Sequence, residues 1–105
     1  MPSVNFVLRW PNGEEESCYS PSTVIYDYLR AGESYSLDEF MILSEAALVS
    51  ASDRVRRRYG YECSSANDQL RLIQARISDF KDSNTQGQVT ILDMSHQIPH
   101  AFTNN

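Results

Sequence analysis

A two-layer α+β fold is predicted by three features of this 105-residue chain. Val4, Phe6, Leu8 and Trp10 alternate with Asn5, Val7 and Arg9 and then meet Pro11-Asn12-Gly13, the pattern of a strand entering a tight turn. Apolar residues recur at three- and four-residue steps from Leu37 to Tyr59 and again from Leu70 to Phe80, the pattern of two amphipathic helices. A short apolar run, Val89 to Met94, supplies a closing strand. A chain of this length buries roughly two thirds of its unfolded surface, enough for one core. The reading is one domain over residues 1–94 and a tail over 95–105.

Each element has its own local cause. Val4 to Trp10 puts one face on the core, and Asn12-Gly13 suits a type I′ turn, in which both central residues need positive φ. Glu14 to Tyr19 returns antiparallel, and its three glutamates read as an exposed or edge strand. Ser20-Pro21-Ser22 reads as a helix start, Ser20 the cap and Pro21 the first helical residue; Thr23 to Leu29 comes next, though its Thr, Val, Ile and Tyr content also suits a strand. Ala31 to Tyr35 reads as a loop.

Ser36 and Glu39 form a capping-box pattern, with Tyr35 and Phe40 placed as a hydrophobic staple. The long helix carries Leu37, Phe40, Met41, Ser44, Ala47, Leu48, Ala51, Val55 and Tyr59 on one face; Arg56, Arg57 and Arg58 suit its negative end and Gly60 its stop. Ser64 or Ser65 caps a second helix with Leu70, Ile73, Ile77 and Phe80 inward, antiparallel to the first. Lys81 to Gln88 reads as a loop. The three strands then form a small antiparallel or mixed sheet with both helices on one face, and the other face is a candidate interface.

Composition narrows the function classes. The net charge of −5 argues against non-specific nucleic-acid binding. It also hides an asymmetry: residues 1–53 carry nine acids and two bases, residues 54–105 five acids and seven bases. Such segregation serves contacts within the fold or between copies, a basis for self-association into a homo-oligomer. No apolar run approaches the ~20 residues of a membrane span, and the opening residues carry no export signal, so a cytoplasmic location is expected.

The order Arg9-Trp10-Pro11-Asn12-Gly13, Cys18-Tyr19-Ser20-Pro21-Ser22, Asp27-Tyr28-Leu29, Leu37-Asp38-Glu39-Phe40, Ala51-Ser52-Asp53-Arg54-Val55-Arg56 and Tyr59-Gly60-Tyr61-Glu62-Cys63-Ser64 resembles the small nitrogen-starvation-response proteins of bacteria. The likeness spans roughly residues 2 to 80 and does not extend clearly to the closing strand or tail. Members of that family are encoded beside a nitrilase. Their other common neighbours are a radical S-adenosylmethionine protein, an acetyltransferase, a flavin-dependent oxidoreductase and a relative of aminoimidazole ribonucleotide synthase. The resemblance implies a setting, that of a soluble accessory component of a nitrogen-linked biosynthetic or catabolic gene cluster. With no acid-base constellation visible and a domain small for an enclosed active site, the reading is an accessory or binding protein, without catalysis of its own, acting with an enzyme of that cluster. It transfers no catalytic residue.

The residues that could carry chemistry are few. In a reducing compartment Cys18 and Cys63 are expected as free thiols, and both precede proposed helix starts, where a thiolate is stabilised. They are the candidate catalytic residues of the alternative reading, a thiol-dependent enzyme or carrier; the competing reading makes both small core residues. The only histidines, His96 and His100, lie in the tail, and Pro99 opposes the helix that a metal-binding pair at that spacing needs, so no metal or other cofactor is expected. Arg54, Arg57 and Arg58, with Arg56 beside them and Arg9 reaching from the sheet, are candidates for a small anionic ligand, a phosphate or carboxylate; a solvated helix end is the plainer reading. Tyr19, Tyr26, Tyr28, Tyr35, Tyr59 and Tyr61 could line a groove with Trp10 or fill the core.

Overall fold

The computed structural model describes residues 2–60 and 64–97. In chain order it contains β1 (Ser3–Arg9), β2 (Glu15–Ser20), a short 3-10 helix (Thr23–Asp27), β3 (Ser34–Ser36), α1 (Leu37–Tyr59), α2 (Ser64–Asp82) and β4 (Gln88–Gln97). The sheet has four strands in the order β2-β1-β4-β3, each pair antiparallel, with both helices against one face. The α+β class and the two layers therefore stand as expected.

Four local expectations are corrected. At the hairpin, the Gly13 N–H donates to the Trp10 carbonyl at 2.8 Å, so Pro11 and Asn12 are the central residues, and Asn84 is the only described non-glycine residue with positive φ. Pro11 presets the first central position of a type I turn, and Gly13, at φ 92°, takes up the left-handed step that returns the chain to β2. The helix start moves from Ser20 to Ser22, whose hydroxyl accepts from the Val24 N–H at 3.2 Å, and the helix it caps is a single 3-10 element. Ser20 closes β2, its hydroxyl buried and donating to the Ser22 carbonyl at 2.8 Å. The stretch read as a loop before Ser36 contains β3, held by Tyr35 opposite Val89. The last strand begins at Gln88 and runs past Met94 to Gln97, so residues 95–97 lie in the sheet.

The helices formed where capping and periodicity placed them. Ser36 accepts from the Glu39 N–H at 3.1 Å, and Gly60 closes α1 at φ 81°. Lys81, near the end of α2, pairs with Asp38, at the start of α1, so the two run antiparallel; Ala47, Ala51 and Ala66, fully buried, keep them thin where they pack.

The core lies between the layers. Val4, Phe6 and Leu8 from β1, Trp10 just past its end, Val89 and Ile91 from β4, and Phe40, Leu48, Ile73 and Ile77 from the helices are all at most 1% exposed. Each such burial is worth about 1.5–3 kcal/mol before its ordering cost. Trp10 anchors one end, edge-on to Phe40 at 5.9 Å and tilted on Phe80 at 5.6 Å. The sheet's two centre strands are thus the first and last described, pairing Ser3 with Gln97 and Arg9 with Thr90. Between Val7 and Leu8 the register shifts by one, leaving Leu92 as an extra residue in a bulge.

Candidate functional site

The strand alternation that fills the core also builds the opposite surface. The side chains between the buried positions of β1 are Asn5, Val7 and Arg9, and the pairings align them into rows: Tyr19–Asn5–Ser95, Ser17–Val7–Asp93 and Glu15–Arg9–Thr90. Short polar residues dominate, and Asn5, Val7, Tyr19 and Thr90 are half-buried. Arg9 and Glu15 pair at 3.5 Å, and the hydroxyls of Ser34 and Thr90 meet at 2.8 Å. Neither helix packs on this face, so it is the broad candidate surface of the fold.

The sequence candidates do not converge. Cys18 points inward from β2, opposite Phe6, and is 3% exposed. Burial, reinforced by the nearby charge of Glu16, pushes its thiol up to about 12, so it is protonated at neutral pH. The placement of Cys18 before a helix start is also corrected: the next helix is a five-residue 3-10 turn, and Cys18 belongs to a strand. Cys63 and His100 lie outside the described residues, and His96 sits in β4, opposite Val4. Among the described residues no group of three metal-ligating side chains occurs.

Arg9 is on the face away from the helices, beside the Trp10 that touches Phe40. Arg57 stands seventeen residues beyond Phe40, about 25 Å along the helix. The structure therefore separates Arg9 from Arg54, Arg57 and Arg58. Asp53 binds Arg56 and, at 2.9 Å, Arg57, and its carboxyl is held below the usual carboxylate range, chiefly by the Arg56 hydrogen bond. Arg58 lies over the Tyr59 ring at 5.9 Å, and Arg54 is exposed.

The tyrosines also scatter. Tyr19 is on the open sheet face; Tyr28 and Tyr35 pack on the core, with the Tyr28 hydroxyl 3.3 Å from that of Ser50 and the Tyr35 hydroxyl accepting from the Arg30 N–H at 3.1 Å. Trp10 is a core residue and lines no groove with the described tyrosines; Tyr61 lies outside the described residues.

Three residues that the sequence reading passed over join the hairpin to α2. Glu16 turns inward and accepts from Trp10 Nε1 at 2.7 Å. The Arg76 guanidinium covers both rings, 5.4 Å from the centre of Trp10 and 5.3 Å from that of Phe80, and donates to Glu14 at 2.5 Å. That bond, with one from Asn12, keeps the Glu14 carboxyl below its ordinary range. Gln69, 9% exposed, accepts from the Tyr19 N–H at 2.9 Å and so occupies the outer edge of β2. A signal for this set existed, since Gln69, Leu72 and Arg76 recur at three- and four-residue steps along one flank of the α2 apolar stripe.

No described helix is long and apolar enough to cross a membrane. A family model described as nitrogen starvation-induced protein NitG matches residues 5–94, which takes in the hairpin, both helices and most of β4. No curated protein and no solved structure matches the chain.

Proposed function

The chain belongs to the family of nitrogen starvation-induced protein NitG, and from that membership we propose an accessory binding protein that acts with an enzyme encoded in a nitrilase-containing gene cluster. The observation that carries the reading is the uncovered sheet face. It is four strands wide, no described helix packs on it, it is stiffened from behind by the core, and it offers Tyr19 and Arg9 among small polar side chains. Tyr and Arg are the residue types that most often anchor protein interfaces, and short neighbours leave them accessible.

The test uses the purified nitrilase and the other enzymes encoded beside the chain, each titrated against it. Saturable binding to one of them, weakened about tenfold or more by Arg9→Ala or Tyr19→Ala, is the expected result. If none of these enzymes binds, or binding ignores both substitutions, this face is not the site and the reading fails.

A further inference from the structure

The sheet's edges are finished unequally. β2 has the charges of Glu14 and Glu15 at its start and Gln69 against its Tyr19 N–H, two devices that discourage another strand from pairing there. β4 differs. It is ten residues long, yet β3 covers only Gln88, Val89 and Thr90, and the next residue, Ile91, exchanges backbone bonds with Glu33 at 2.9 Å and Gly32 at 2.7 Å. From Leu92 to Gln97 no described strand pairs on that side, although β1 remains paired on the other. This stretch has neither lysine nor proline, and Asp93 is its one charged carboxylate.

We infer that this open edge is the contact between two copies of the chain, β4 pairing antiparallel with β4 of its partner across a two-fold axis at Ser95. The position of the axis is set by the bonded end of the edge and by charge. At Ile91 the edge is already taken by Gly32 and Glu33, so the pair lies beyond it, within Leu92 to Gln97. An axis at Met94 would bring Gln97 opposite that bonded Ile91, and an axis at Asp93 would set two carboxylates together. An axis at Ser95 avoids both: each Asp93 stands opposite an uncharged Gln97, and like charges do not meet. Pairing there joins two four-stranded sheets into one of eight and removes the open edge. The contact uses an edge and not the face proposed above for the enzyme partner, so either can hold without the other.

The test is made on the full chain with Cys63→Ser, which leaves only the buried Cys18 thiol. Sedimentation from micromolar to near-millimolar concentration is expected to show a reversible rise to twice the chain mass, because a single strand pair is a small interface. Ser95→Lys, exposed and facing away from the core, sets two cations together at the axis and is expected to weaken association at least tenfold with unchanged circular dichroism. Under mild oxidation Ser95→Cys forms a covalent pair, since opposed residues lie about 4.5–5.5 Å apart. Asp93→Cys does not, because it lies about 13 Å from its own copy. A single-chain mass throughout the range overturns the inference, and so does association that ignores Ser95→Lys or crosslinks equally at both positions. Those outcomes leave the edge to residues 98–105 or to a strand of another protein.

Discussion

Cys18 shows how burial can silence a residue type that sequence reading flags as reactive. Its sulfur is packed opposite Phe6 and close to the charge of Glu16, so both forces that shift the thiol act in the same direction. The attacking species is the thiolate, and with the thiol near 12 its fraction at neutral pH falls by roughly a thousandfold relative to an unfolded cysteine. In the Cys63→Ser background, disulfide-exchange labelling should therefore be slower by about that factor in the folded chain than in urea; equal rates would show that Cys18 is accessible. The same shift makes stability depend on pH. Between the ordinary value of 9.0 and about 12 the folded chain keeps a proton that the unfolded chain releases, so stability declines as pH rises through that window. Cys18→Ala should remove this part of the alkaline decline, which urea melts of both proteins at successive pH values would measure.

At the scale of the elements, local chemistry was most legible where several signals agreed. Around α1 the cap Ser36, the arginines of the last turn and Gly60 all specify one helix, and it formed at those bounds. Removing the cap by Ser36→Ala leaves the Glu39 N–H without its side-chain acceptor and should cost about 1 kcal/mol in a denaturant melt. Gly87 sets a different limit: at φ 136° a Cβ there would stand 3.0 Å from Pro11 Cβ, so Gly87→Ala should destabilise through both backbone strain and crowding against the hairpin turn. What was not legible depended on partners far away in sequence. β3 is three residues with one inward side chain, too short to show an alternation, and exists because Val89 pairs with Tyr35. Glu16 sits in a run of glutamates that looks wholly solvated until Trp10 and Arg76 are brought beside it. For the candidate sites, sequence spacing could group the arginines of α1, but it could not show that Arg9 lies on the other face of the sheet.

The whole molecule is tied together by its ends. The pairing of β1 with β4 makes the first and last described strands the middle of the sheet, and both β2 and β3 hang from them. A chain ending before Gln88 would therefore lose more than its final strand. β3 would have no neighbour, β1 would gain an open edge, and Val89 and Ile91 would leave the core. Such a truncation should show no cooperative melt by circular dichroism under conditions where the full chain shows one. The same strand order governs how the protein is made. A ribosome adds ~5–20 residues each second, and throughout that time the growing chain holds its hairpin and helices without the strand that unites them. The sheet cannot close until β4 itself has emerged, so β1 waits through the synthesis of every element between the two.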